Sequence, residues 1–256
     1  MKSLGPVAAR DTLLTVVLLL LAPLAAVVAT TAPAHAGPAF QQPAVGECRS
    51  LTRDQLNRAS NNEAPIDCSQ PHTSRVIATG RLPKGVTWGA SVERLARIAT
   101  GICDPAWKAA LGSTYRSRAM TAYSWGWFIP NKTQRERGAR WIRCDLVLLG
   151  GGTSLVRLPT DAEPALGSQP HPNGIAACLT RRTFVSTICA RRHAWRATGT
   201  FVIDQKAYPT ERQFRRAAAR RCPSRVNSDS FAWRFRDANR WRLGDHVVIC
   251  FSRTRN

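Results

Sequence analysis

Apolar and polar positions along this 256-residue chain recur in two successive rounds with the same order of elements. In the first round, Ser74–Leu82 (SRVIATGRL) reads as a strand entered from a turn at His72. Ser91–Leu111 follows with Val92, Leu95, Ile98 (with Ala99) and Ile102 at helical spacing behind Ser91 as N-cap. Pro105 is expected to end or kink that helix and leave Ala106–Leu111 as a separate turn. Ala139–Leu149 closes the round as a strand, with Trp141, Arg143, Asp145 and Val147 alternating against Ile142, Cys144, Leu146 and Leu148. The second round runs from a strand at Ala194–Ile203 to a helix at Thr210–Cys222 and a closing strand at Asp245–Ser252. Its helix carries Phe214, Ala217 and Ala218 on related positions, and Thr210 with Gln213 forms a capping-box pattern. Both closing strands follow a glycine turn, at Gly138 and Gly244. The pattern predicts an α+β architecture of two small repeated domains, each an antiparallel sheet with one packed helix.

The rounds share a residue grammar as well as a periodicity. Cys68 precedes His72 by four positions, as Cys189 precedes His193. Trp127, Gly138 and Cys144 are spaced eleven and then six apart, and Trp233, Gly244 and Cys250 repeat that spacing. A position shared by two copies points to structure, so Trp127 and Trp233 are assigned to the core. Trp125 has no second Trp in its place and is the aromatic candidate for an exposed binding surface, by stacking on sugar rings. The domains are placed at 44–158 and 175–256. Between them, 159–174 (PTDAEPALGSQPHPNG) has four prolines and no apolar periodicity, the mark of a semi-extended linker. Residues 37–43 are expected to be disordered.

The N-terminus changes how the cysteines are read. Residues 13–28 form an apolar run, and Ala34-His35-Ala36 offers small residues at the two positions a signal peptidase reads. Residues 1–36 are therefore assigned to a signal peptide, in preference to an uncleaved anchor, and the mature chain to an extracytoplasmic location. In that compartment the eight cysteines favour disulfides over metal or redox chemistry. Spacing alone leaves many pairings open. The preferred one joins neighbouring strands and then helix to last strand: Cys48–Cys68 and Cys103–Cys144, then Cys178–Cys189 and Cys222–Cys250. The alternative, zinc held by Cys68/His72 and Cys189/His193, lacks the second close ligand pair that structural zinc sites use. No metal or cofactor is expected. His72 and His193 read as turn residues that hydrogen-bond locally.

Gly46-x-Cys48, Cys68-x-x-Pro71-His72, a helix carrying Cys103 and the Pro130…Gly138…Cys144 segment resemble the septum-formation domain of actinobacteria. The resemblance covers most of 44–158. It is weaker over 175–256, where Cys189-Ala-Arg-Arg-His193 lacks the proline and Cys178 sits closer to Cys189. It implies an exported or membrane-anchored protein linked to cell division, with no reaction attached. Where the family often has an acidic residue three positions after the histidine, this chain has Arg75 and Arg196.

Charge adds a second clue. The formal net charge is +21. The first domain carries 17 basic and 8 acidic residues, the shorter second domain 18 and 5. Arg212, Arg215, Arg216 and Arg220 share a helix face, and Arg181-Arg182 and Arg191-Arg192 form further runs. Planar guanidiniums grip phosphate or carboxylate in pairs of hydrogen bonds. Anionic wall polymers or lipid head groups are the expected ligands, with division-site proteins as further partners. Nucleic acid is not expected outside the cell, and membrane contact is expected only through an uncleaved N-terminal segment. No nucleophile–base pair, paired carboxylates or phosphate loop is present in the sequence, which points to a non-catalytic binding or scaffolding protein of the envelope. The alternatives are an envelope hydrolase whose site is invisible in sequence and a secreted cationic protein acting on foreign membranes or nucleic acid.

Overall fold

The computed structural model describes residues 37–112, 114–160, 166 and 169–254, so the apolar N-terminal run and its cleavage motif lie outside the described residues. The fold is α+β, with two antiparallel five-stranded sheets. The first sheet contains β1 (Cys48–Arg49), β2 (Ser74–Arg81), β3 (Tyr123–Phe128), β4 (Trp141–Leu149) and β5 (Leu155–Val156), in the order β1-β2-β4-β3 with β5 on β4. Its helices are α1 (Arg53–Leu56), α2 (Val92–Leu111), α3 (Tyr115–Ala119) and α4 (Lys132–Glu136). The second sheet contains β6 (Ala177–Leu179), β7 (Ser186–Ile188), β8 (Trp195–Val202), β9 (Phe231–Phe235) and β10 (Val247–Arg253), ordered β7-β6-β8-β10-β9. It carries α5 (Glu211–Arg221) and α6 (Ala238–Arg242). The expectation of one helix per half is thus met only by the long helices; the first half adds three short ones and the second adds α6.

Each long helix is tied to the middle of its sheet. In α2 the buried positions Leu95, Ala99, Cys103, Trp107 and Leu111 follow one another every fourth residue, and Cys103 bonds Cys144 on β4. Val92, expected on that face, is 71% exposed, because the row of every fourth residue defines the contact. Pro105 does not end the helix. It removes one backbone hydrogen bond, and buried Cys103 and Trp107 on either side pin both turns to the core. In α5, Phe214, Ala218 and the C-cap Cys222 repeat the fourfold spacing, and Cys222 bonds Cys250 on β10. Thr210 and Gln213 form the reciprocal capping box.

The two sheets correspond position by position around these bonds. Trp127 pairs across strands with Cys144, and Trp233 with Cys250. A bulge leaves Ile77 unpaired between Val76 and Ala78 in β2, and Thr198 unpaired between Ala197 and Gly199 in β8. Gly138 and Gly244 both take the left-handed conformation, at φ 90° and 89°, in the turn before each closing strand. The remaining disulfides join β1 to the following loop (Cys48–Cys68) and β6 to the end of its hairpin (Cys178–Cys189).

Polarity on the closing strand departs from the expected alternation. Arg143 and Asp145 are as buried as their apolar neighbours, because residues 51–66 fold across that face and Leu51 and Leu56 pack with Phe128, Val147 and Leu155. The two charges neutralise one another at 2.7 Å, and Ser74 donates to the Asp145 carboxylate at 3.2 Å. Residues 37–43 are also ordered: Trp141 Nε1 donates to the Phe40 carbonyl at 3.0 Å, and Arg140 N–H to that of Pro38 at 2.9 Å.

The segment 159–174 is no solvent-filled spacer where it is described. Leu166 packs with Trp107, Leu111, Leu158 and Ile188. His171 is buried, its ring nitrogens 2.9 Å from the Leu166 carbonyl and 3.1 Å from that of Ser117. The reason is geometric: the sheets dock, and the sparse apolar residues of this segment fill the seam. The docking is direct, with α3 packing on β8 and β10 and bridges at Thr121–Ala176 and Gly150–Thr187. The described residues belong to one compact unit.

A buried charge network closes the seam. Asp104 of α2 lies 3.7 Å from Arg240 of α6, Tyr115 donates to the Asp104 carboxylate at 3.3 Å, and Arg236 pairs with Asp245 at 2.9 Å. Arg118, Arg236 and Arg240 stand 5.3, 5.9 and 4.9 Å from the Trp107 ring. Burial pushes the Arg240 pKa down to about 10, with repulsion from Arg236 adding to the shift and Asp104 opposing it.

Two outcomes follow for stability. Replacing Cys103 and Cys144 together by alanine lowers the unfolding free energy by at least about 2 kcal/mol, read by denaturant titration without reductant. Arg143→Met leaves Asp145 as an unpaired buried charge and costs about 3–5 kcal/mol at neutral pH. Burial already holds the Asp145 carboxyl above its ordinary value. A native state that binds this proton more tightly than the unfolded chain gains stability as pH falls through the native pKa. The loss in Arg143→Met therefore shrinks on acidification, and titrations between about pH 7 and 4 check the sign.

Candidate functional site: arginine clefts on the second sheet

The hairpin between β6 and β7 is braced at both ends. Cys178–Cys189 clamps its base. At its tip Thr180 N–H donates to the Val185 carbonyl at 3.0 Å, Val185 N–H donates to the Thr180 hydroxyl at 3.0 Å, and the Thr180 and Thr183 hydroxyls lie 2.9 Å apart. Arg181 and Arg182 project from this tip, exposed. The loop before β8 faces them with Arg192 and His193. Thr180, Arg181, Arg182, Arg192 and His193 line one cleft of about 690 Å³ that has no carboxylate among its lining residues. Arg181 also borders a second cleft of about 560 Å³, with Ser228, Asp229, Ser230 and Arg253. A shared arginine joins the two into one basic, hydrogen-bonding surface.

This surface can hold an anion. Each guanidinium offers forked N–H donors that match phosphate or carboxylate oxygens. His193 is committed to its own turn: its Nδ1 lies 2.7 Å from the Arg191 carbonyl, as His72 Nδ1 lies 2.9 Å from that of Gln70. Cys178, Cys189 and His193 bring their ligand atoms within 4.8 Å of one another, but the two sulfurs are bonded to each other, and neither is a thiolate available to a metal.

The candidates named from sequence divide sharply. Arg212, Arg215, Arg216 and Arg220 are exposed on α5, opposite Phe214 and Ala218, with Arg215 3.9 Å from Glu211; none of them lines either cleft. Arg196 is engaged internally, donating to the His171 carbonyl at 3.0 Å and to the Asn173 side chain, and it fixes the chain between the sheets. Arg75 lies on β2 opposite Cys48 and borders a small cleft of about 210 Å³ with Ala106, Ala109 and Ala110. Trp125 is not an exposed platform: it packs against the seam core, and Arg240 lies 4.9 Å over its ring. Trp127 and Trp233 are half-buried, each packed in the core beneath its own long helix. Of the run Arg191-Arg192, Arg191 donates to the Gly150 carbonyl at 2.6 Å and so ties the two sheets, leaving Arg192 for the cleft. Sequence reasoning noted Arg181 and Arg182 as a run but gave them no role. The signal was their place inside the shorter Cys178–Cys189 loop.

The chain matches the septum-formation family over residues 46–250. That span covers most of the chain, and the protein belongs to this family. The match is a single stretch across both sheets, where the sequence had placed a family domain in each half. Neither a curated protein nor a solved structure matches the chain. Four disulfides fit an oxidising, extracytoplasmic setting. Among the described residues, no helix is long and apolar enough to cross a membrane.

Arg181→Glu with Arg192→Glu tests the clefts. Both side chains carry charge at an exposed surface or rim, so the unfolding midpoint stays unchanged. Binding to a soluble glycerol-phosphate polymer, measured calorimetrically at low salt, weakens about tenfold or more.

Proposed function

We propose that this protein is a non-catalytic binding module of the cell envelope that acts in septum formation and is retained there by anionic envelope polymers. The observation that carries this reading is the convergence of Arg181, Arg182 and Arg192 on one cleft whose lining includes no carboxylate. Family membership supports the septal setting. Attraction of this kind steers a polyanion from a distance and fades once salt screens charges beyond about 8–10 Å. Phosphate-bearing wall polymers and anionic lipid head groups present the same chemistry to the clefts. The arginines of α5 add a second exposed basic face on the same half. We further read the two sheets as an internal duplication, on the strength of the matched Trp–Cys pairs, bulges and glycine turns.

Imaging an export-compatible fluorescent fusion in dividing cells tests the proposal. The expected result is enrichment at the septum that a high-salt wash removes and that Arg181→Glu with Arg192→Glu reduces. Uniform release into the medium would sink the septal reading, and salt-resistant enrichment would sink the electrostatic one.

A further inference from the structure

The two sheets correspond, but only one has its outer face covered by its own chain. In the first sheet, the residues between Cys48 and Cys68 cross β3 and β4. Leu56 seats above Gly126, where a Cβ would collide with it. Backbone and side chains fasten the crossing: Ile129 N–H donates to the Ala59 carbonyl at 2.9 Å, Arg49 to that of Glu63 at 2.9 Å, and the Ser60 hydroxyl to that of Pro130 at 3.3 Å. In the second sheet the strand registers place Ala232 where Gly126 stands, Trp195 where Ser74 stands and Leu179 where Arg49 stands. There the disulfide loop spans 11 positions instead of 20. Among the described residues no crossing segment covers Ala232, which packs at the margin of the cluster around Ala119. α3 covers part of that face through Ala119, packed with Phe251 and Ala197. Beside it an open groove of about 570 Å³ runs along the β9 edge, lined by Leu179, Phe184, Trp195 and the whole of β9.

The groove is shaped for an occupant. Phe184 stands 42% exposed at its rim, held by a left-handed backbone (φ 51°) that a bulky residue rarely adopts, and it stacks on Trp195 at 5.8 Å. Arg234 donates to the Phe184 carbonyl and has no carboxylate partner among the described residues, and burial alone lowers its pKa. Thr180 and Arg181, which follow Leu179 directly, open onto the neighbouring cleft that no carboxylate lines. An apolar floor, a rim cation with no carboxylate partner among the described residues and an arginine-bearing flank specify the chemistry of what fits.

We propose that this groove docks an acidic segment of a partner protein, which seats one aliphatic side chain over Ala232 as Leu56 sits over Gly126 in the first sheet. The carboxylates of such a segment reach Arg234 on one side and Arg181 on the other. The groove has no lining residue in common with the polymer clefts, and Arg181, at their border, serves both surfaces.

The test is selection of a displayed random-peptide library on the disulfide-intact protein, with affinities of enriched peptides measured on two variants. Ala232→Trp fills the groove. Phe184→Gly removes one wall at a backbone position that glycine adopts freely, so it folds even if the first variant does not. Enriched peptides that pair a Leu, Ile, Val or Met with flanking Asp or Glu, and that bind Phe184→Gly about tenfold more weakly, are the expected result. Absence of an acidic–aliphatic consensus, or equal affinity for wild type and Phe184→Gly, would overturn the proposal. Binding of the glycerol-phosphate polymer to Phe184→Gly stays at the wild-type level, so the two readings fail separately.

Discussion

The covalent tie between a long helix and the centre of its closing strand is the constraint on which the rest of the molecule depends. Cys103–Cys144 and Cys222–Cys250 each fix a helix across a sheet at the residue that faces a tryptophan on the next strand. With the helix fixed, its fourth-residue row must meet the sheet, and Leu95, Ala99 and Phe214, Ala218 fill the space between. Halves of this size bury a modest fraction of their surface, so a link that restricts the unfolded chain matters more than it would in a larger core. The tie also explains why α2 runs through Pro105: both flanking turns are anchored, and one lost hydrogen bond is small beside that packing.

Docking of the two sheets converts much of the positive charge from surface to scaffold. Arg118, Arg236 and Arg240 gather at Trp107 with Asp104 and Asp245, and Arg191 and Arg196 hold the second half to the first and to the chain joining them. Arginine suits these places because its planar head stacks on rings and satisfies several acceptors at once. Net charge therefore overstates the basic surface. The exposed cations of the second half gather on the hairpin tip, the loop before β8 and the outer face of α5, whereas others are spread over the first half.

Difference between the halves is as informative as their likeness. The first sheet spends a long disulfide loop on covering its own outer face and places a buried ion pair beneath it. The second has a short loop, leaves apolar Ile249 and Phe251 on the equivalent strand, and covers them with α3. The shorter loop of the second half leaves an aromatic groove open beside it and carries arginines at the hairpin tip. Self-covering stabilises one half, and the uncovered half carries the candidate surfaces.

The sequence by itself determined the local elements, because these are set by side-chain period and by caps within a few residues. The paired helices, the closing strands, the glycine turns and the class of fold were legible from spacing alone, as was the family from its cysteine and histidine pattern. Only the tertiary structure decided which charges are free. Arg191 and Arg192 are neighbours of identical type, yet one bridges the sheets and the other opens onto a cleft; nothing within their own stretch of chain separates them. Trp125 likewise looked exposed until Arg240, more than a hundred positions away, closed over it. Leu166 and His171 sat in a proline-rich run with no periodicity, and their burial depends on a seam that exists only once both sheets have docked. Long-range packing has no local period, and that is where the sequence falls silent.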